Sequence, residues 1–135
     1  MDVLRIMEVG ASALLAQRER LEVISSNLAN LYTTRTPEGG PYVRRDVVFQ
    51  AEPMGGDALG VRVVGVVEDL RRPLQLVYDP AHPDADQEGY VRYPNVNLME
   101  EMVNMMLAIR SYEAALKVVS TAQDMASRTV DLLGR

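Results

Sequence analysis

Apolar residues recur with a seven-residue period over the last third of the chain, and that period constrains the fold more than any other feature. One series runs through Met102, Ile109, Leu116, Gln123 and Val130, and a second through Met105, Tyr112, Val119, Ala126 and Leu133. Nine of these ten positions are apolar, Gln123 being the exception. Five consecutive heptads predict one continuous helix of roughly 36 residues, about 54 Å long at ~1.5 Å per residue. A helix of that length outreaches any globule the rest of a 135-residue chain can build, so part of its apolar surface needs a partner outside its own domain. Its start is marked by Asn97-Leu98-Met99-Glu100, which has the form of a capping box. In that motif the Asn side chain accepts from a first-turn N–H while the Glu reaches back to the cap residue.

A second helix is predicted at the other end. Met7, Leu14, Leu21 and Leu28 are spaced by seven, with Leu4, Ala11 and Ile24 beside them, over about Val3 to Asn30. Gln17, Arg18 and Ser25 narrow the stripe, which makes this helix dependent on a packing partner. Between the two helices lie all seven prolines, from Pro37 to Pro94. Here β-branched runs predict strands: Val61 to Val67 and Leu74 to Tyr78 as a hairpin, with Tyr42 to Phe49 and Tyr90 to Tyr93 as further strands and Asp79 to Asp86 as an extended loop. The expected fold is α+β: long N- and C-terminal helices packed as a coiled-coil-like pair, with a small β-rich module between them. The divisions fall at 1–34, 35–96 and 97–135. The two helices are expected side by side as an antiparallel or slightly tilted pair, with Leu14, Leu21 and Leu28 facing the stripe from Met102 to Leu116.

Little in the chain suggests chemistry. Fourteen basic against nineteen acidic residues leave a net charge of -5, which disfavours nucleic-acid phosphates as the main partner. Without cysteine there is no thiol nucleophile, disulfide or thiolate metal site. No uninterrupted apolar stretch approaches the ~20 residues that a membrane span needs, and Met1-Asp2-Val3-Leu4-Arg5 lacks the features of a secretory signal, so neither membrane insertion nor a cleaved signal peptide is expected. The one histidine, His82, has Asp79, Asp84 and Asp86 around it, but Asp-Pro and His-Pro-Asp are turn formers, and no metal or other cofactor is expected. Asp84-x-Asp86-x-Glu88-Gly89 fails as a calcium loop because its fifth position is Glu and its twelfth Asn95. Arg44-Arg45 and Arg71-Arg72 read as solvated pairs beside acidic residues. The four methionines Met99, Met102, Met105 and Met106 suit either core packing or an adaptable docking surface.

Several motifs together resemble a known family. Ser12-Ala13, Ala16-Gln17-Arg18 and Ser26-Asn27-Leu28-Ala29-Asn30 with Thr33 are similar to the N-terminal signature of flagellar rod and hook proteins. Gly40-Pro41-Tyr42, Val47-Val48-Phe49-Gln50 and Leu76-Val77-Tyr78-Asp79-Pro80 with His82-Pro83 continue the likeness. Gly89-Tyr90-Val91, Pro94-Asn95-Val96-Asn97, Glu101-Met102-Val103 and Arg110-Ser111-Tyr112-Glu113-Ala114 are its most specific part. The chain thus resembles the bacterial flagellar basal-body rod proteins, of the proximal FlgC type. It departs from their pattern at Ala115, where Asn usually follows Glu-Ala, and at Leu31-Tyr32, where a small residue is common.

The resemblance implies a structural subunit, not an enzyme. It implies synthesis in the cytoplasm, export by the flagellar type III apparatus, and assembly in the periplasmic rod with other rod subunits and copies of itself, where helical packing transmits torque. Subunit packing is then expected of Leu14, Leu21, Leu28, Met102, Met105, Ile109, Tyr112, Leu116, Val119, Val130 and Leu133. A structural role in hydrogen-bonded helix ends and turns is expected of Asn27, Asn30, Pro94, Asn95 and Asn97. The alternative is a cytoplasmic coiled-coil adaptor or scaffold, which shares the C-terminal heptads but has no need of the asparagine motifs.

Overall fold

A computed structural model describes residues 2–134. Two long helices flank four strands in the order α1 (Val3–Ala29), β1 (Arg45–Pro53), β2 (Leu59–Glu68), β3 (Gln75–Tyr78), β4 (Tyr90–Tyr93) and α2 (Leu98–Leu133). The expected α+β arrangement is present. Helix α2 has the 36 residues that the heptads predict, and α1 has 27. Asp2 caps α1 by accepting from the Arg5 N–H at 2.9 Å, and Asn97 caps α2 by accepting from the Glu100 N–H at 3.0 Å. Only this half of the predicted capping box forms, because the Glu100 carboxylate is engaged by Arg72 across the surface.

The helices run antiparallel against each other, and two points set their register. Near one pole Asn27 Nδ2 reaches Glu101 Oε2 at 3.4 Å. Toward the other pole, a Cβ added to Gly10 would lie 2.7 Å from Val119 Cγ2. Gly10 is therefore a close-approach residue. On α2 the fully buried positions are Glu101, Ala108, Ala115 and Ala122, one every seven residues. Met105, Tyr112, Val119 and Ala126 alternate with them and are partly buried. The inward seam thus pairs the second predicted series with a line of alanines. Met102, Ile109 and Leu116, expected to face α1, are instead 50%, 41% and 49% exposed. At about 100° per residue they stand a quarter-turn round the helix from the alanines. Leu14, Leu21 and Leu28 are half-buried, and the fully buried positions of α1 are Gly10, Ala16, Ile24 and Asn27. Small residues win the seam because they let the backbones approach, as Gly10 shows.

Strand pairing differs from the sequence expectation. β1 pairs with β2 from Arg45↔Glu68 to Pro53↔Leu59, with a bulge at Val48/Phe49, and β3 pairs with β4 from Gln75↔Tyr93 to Tyr78↔Tyr90. β2 and β3 do not form a hairpin because Asp69, in the supposed turn, is buried and held elsewhere. The segment Asp79 to Asp86, expected to be an extended loop, folds instead into consecutive turns closed by His82 N–H to Asp79 O and Ala85 N–H to His82 O, and a further turn follows with Gly89 N–H to Asp86 O.

A lone two-stranded ribbon is marginal in water, so each hairpin needs a support. The β1–β2 ribbon lies along α1, its length of ~30 Å matching the ~33 Å between Arg5 and Asn27. At one end Asn27 Nδ2 donates to Arg45 O at 2.9 Å, nearer the tip the Val61 N–H donates to Ser12 Oγ at 3.2 Å, and at the tip Arg5 donates to Met54 O. The β3–β4 hairpin stands at the pole where α1 ends and α2 begins, with Tyr93 edge-on to Tyr32 and Asp84 bound to Thr34 and Arg35. The module therefore returns the chain to the pole where it left the helix, as an antiparallel pair requires.

Gly10 offers a sharp test of the close approach. Gly10→Ala should destabilise the native chain by about 1–3 kcal/mol, the range for overfilling a packed interior. In a Val119→Ala background the same change should be neutral or stabilising by up to ~1 kcal/mol, because alanine is the better helix former. Thermal unfolding of the four proteins measures both, and a penalty undiminished by Val119→Ala would show that the approach of Val119 is not what excludes a side chain at Gly10.

Candidate functional site

Where α1 ends, β1 begins and α2 starts, six polar side chains leave water together. Asn27 and Glu101 are completely buried, and Tyr42, Arg44, Asp69 and Asn95 nearly so. Arg44 is the centre. Its Nε donates to Glu101 Oε1 at 2.5 Å and its Nη1 to Asp69 Oδ2 at 3.1 Å, while its backbone N–H donates to Asn95 Oδ1 at 2.7 Å. A buried charge costs several kcal/mol unless it is paired and hydrogen-bonded, and here the guanidinium meets three carboxylates, the third being the half-exposed Asp46 at 3.4 Å.

The two buried asparagines serve as connectors, which suits an amide that both donates and accepts. Asn27 Oδ1 accepts from the Tyr42 hydroxyl at 2.7 Å and the Arg45 N–H at 3.0 Å, while its Nδ2 donates to Arg45 O. Asn95 Nδ2 donates to Asp69 O at 2.8 Å and Arg72 O at 3.0 Å. Asn30 closes α1 by donating to Ser26 O at 2.8 Å and accepting from the Thr33 hydroxyl at 3.0 Å. Pro94 is buried beside Asn95. Arg44 itself was missed in the sequence, where it read as half of a solvated basic pair. The only available signals were its place after Gly40-Pro41-Tyr42 and the Glu101 at one turn from the Asn97 cap.

Electrostatics follow from this packing. For Arg44 burial works against the charge, but the bond and charge of Glu101 outweigh it and raise the guanidinium above its ordinary value. For Asp69 burial would raise the carboxyl, yet the Arg71 N–H and guanidinium, together with the charge of Arg44, hold it below the usual aspartate value. Asp84 is also lowered, first by the Thr34 hydroxyl and then, against some desolvation, by Arg35. In the His82 loop the ring Nδ1 accepts from the Asp84 N–H, and Asp86 Oδ1 accepts from the Glu88 and Tyr90 N–H groups. These carboxylates are spent on turns and an ion pair, and among the described residues no group of three or more acidic or histidine side chains is placed to hold a metal.

The outward faces of α2 carry its large apolar residues. One exposed line joins Met102, Ile109 and Leu116, with Met99 and Met106 beside it. A second joins Leu107, Val118, Met125 and Leu132, with Val103 beside it. At ~100° per residue the lines are separated by a charged ridge of Arg110, Glu113, Lys117, Asp124, Arg128 and Asp131. Val130 and Leu133 continue the inward line but lie beyond the reach of α1, and both are exposed. Of the sequence-predicted packing residues, the structure places Met105, Tyr112, Val119, Leu14, Leu21 and Leu28 partly buried, and Met102, Ile109, Leu116, Val130 and Leu133 on open surface. Among the described residues no helix is long and apolar enough to cross a membrane.

Residues 7–35 match the family described as flagella basal body rod protein, and residues 87–132 match the family described as flagellar basal body rod FlgEFG protein C-terminal. These two spans hold most of the helix pair, with Asn27, Asn95 and Glu101 of the buried junction. Over nearly the whole chain, similarity extends to flagellar basal-body rod proteins named FlgC. The protein from Salmonella typhimurium is 45% identical over 133 residues, covering 98% of both chains. That from Borreliella burgdorferi is 43% identical over 143 residues, covering 93% of each, and that from Buchnera aphidicola of Schizaphis graminum is 37% identical over 135, covering 98%.

Removing one member of the junction should cost far more than replacing the pair. Glu101→Ala leaves the buried Arg44 Nε without its acceptor, with Asp69 only on Nη1, and is expected to destabilise by about 3–5 kcal/mol, whereas Arg44→Met combined with Glu101→Met should cost clearly less. Denaturant unfolding compares them. Acid should act through Asp69: a lowered carboxyl contributes stability above an unfolded aspartate's ~3.9 and loses it as pH falls through the lower folded value. Melting temperature should therefore drop below about pH 4, and Asp69→Asn should flatten part of that slope.

Proposed function

This chain belongs to the flagellar basal-body rod proteins of the FlgC family, a structural subunit of the rod that assembles with other rod subunits, and we propose that it carries torque through the outward faces of its helices. The observation that supports this most is the inversion of size across α2: alanines face α1, and methionine, leucine, isoleucine and valine face outward. A monomer with no partners gains nothing from that distribution, because exposed apolar lines of this extent ordinarily mark contact surfaces. A subunit flanked by helices of two neighbours gains a dry seam on each side and a charged ridge to fix register between them.

In this reading the segments 1–34 and 97–135 form the rod core and 35–96 the outer module. Met102, Ile109 and Leu116 pack against one neighbour. Leu14, Leu21, Leu28, Met105, Tyr112 and Val119 hold the helix pair and the lateral contacts at its edges, and Val130 and Leu133 reach past α1 to other subunits. Asn27, Asn30, Pro94, Asn95 and Asn97 set the angle between core and module through their hydrogen bonds. Long packed helices suit torque because dispersion contacts spread along ~54 Å resist shear collectively. The protein acts without catalysis; it is made in the cytoplasm, leaves by the flagellar type III apparatus, and assembles in the periplasm.

A charge on an outward line separates folding from assembly. Leu116→Glu should leave the melting temperature within a few degrees of the parent, consistent with a surface change of ~0.5 kcal/mol or less. Rod incorporation and swimming should be lost. Normal motility with Leu116→Glu would remove this face from the rod contacts.

A further inference from the structure

The β1–β2 ribbon is held firmly at its root and lightly along its outer half. At the root both backbone groups of Arg45 bond to Asn27, and the Asp69 N–H donates to Arg44 O at 2.7 Å. Strand pairing then breaks step between Val48 and Phe49, where β2 carries Val64 as an extra residue next to Gly65. A Cβ built at Gly65 would meet no atom within 4 Å. A bulge beside a glycine in open space is where a ribbon can bend. Beyond the bulge, over residues 49–63, only Ala58 and Gly60 are buried. This outer half is tied to α1 by the Val61 N–H on Ser12 Oγ and by the Arg5 guanidinium on Met54 O. The Arg5 side chain is 42% exposed and has Glu8 at 3.6 Å as a second partner. Between the tip loop, residues 55–58, and the start of α1 at Asp2 and Arg5 lies an open cleft of about 550 Å³.

We propose that the outer half of the ribbon is a hinged strap, which swings on the bulge and in its closed position holds the first three turns of α1 in place. Those turns need a support that α2 supplies only thinly. Gly10 lowers helix propensity in their midst, and a short helical segment is marginal in water unless it is packed. Continuing the register from the contact of Gly10 with Val119, α2 offers them Ala122 and Ala126, which contribute little apolar area. On the strap side the fit is close. A Cβ at Gly60 would lie 2.8 Å from Ser12 Oγ, so a side chain there would push the strand off the helix or displace Ser12. Ser12 Oγ also donates to Val9 O at 2.7 Å, which links the strand edge to the helix backbone. When the strap lifts, Ser12 loses its strand partner and Arg5 is left to Glu8. The device belongs to the single chain, whatever its outer faces bind. A partner that uses the strapped side of α1 meets only the open form, and its affinity falls by the open fraction.

The lack of cysteine lets one disulfide lock the strap in the full chain. In Ser12→Cys combined with Gly60→Cys the two side chains start close enough to bridge. Residue-resolved hydrogen exchange then compares the oxidised and reduced forms of that protein as monomers. Oxidation should slow exchange over residues 6–15 by about tenfold, and in the parent chain Arg5→Gln should speed it by roughly threefold. Residues 23–27 and 101–119, held by the root and the junction, should not change. Equal exchange over residues 6–15 in the locked and reduced forms would overturn the proposal. So would a disulfide that fails to form in the folded protein, since the closed strap would then not be populated. A change that spread through residues 101–119 would also overturn it, because the outer half would then belong to the common core.

Discussion

The pairing of Arg44 with Glu101 in a place without water is the constraint on which the other elements depend. A guanidinium brought into the interior must find its partners from wherever the chain can supply them. Here they come from the first turn of α2, the exit of β2 and the Pro94-Asn95 approach to the helix. That requirement brings the beginning of α2 against the end of α1 and so makes the helices antiparallel. It also roots β1 beside Asn27, from which the ribbon can only run along α1 toward Arg5. The same pairing accounts for the failure of β2 to turn back onto β3: Asp69 is consumed by the junction, and the chain must leave in another direction.

The helices were legible because a seven-residue apolar period sustained over 36 residues suits a long helix and almost no other backbone, and Asn97 was legible as a cap because an N-terminal asparagine satisfies an otherwise orphaned N–H. Which stripe would face inward was not. A helix apolar on three sides carries several heptad series, and hydrophobicity alone ranks Met102, Ile109 and Leu116 above Ala108, Ala115 and Ala122. Close approach at Gly10 reverses that ranking, and it is a tertiary fact. Arg44 was illegible for a related reason, since a basic pair near acidic residues looks solvated until the fold shows that its partners lie 25 and 57 residues away. Asn27 and Asn95 were visible only as motif residues. Their work as connectors between backbone segments depends on neighbours distant in sequence.

In the proposed reading, size inversion across α2 separates two tasks within one helix. The alanine face, with the polar junction at its end, holds a subunit together over a short distance between backbones and contributes little apolar area per residue. The bulky faces contribute most of the exposed apolar surface and have no cover within the subunit. Family membership and geometry meet at this point: an axial subunit must be stable enough to fold and incomplete enough to assemble. Polar contacts that are specific in geometry suit the first task, and apolar lines that accept several helical neighbours suit the second.

Residue-resolved hydrogen exchange on a demonstrably monomeric sample tests this division most directly, because it reads local opening along each helix separately. Protection should be greatest where the junction and the alanine seam lie, in Ala16–Asn27 and Glu101–Val119, and should fall steeply beyond Met125, where α2 has no partner. Protection that stays uniformly high from Leu98 to Leu133 would contradict the account, since it would mean that the subunit completes its own core without neighbours.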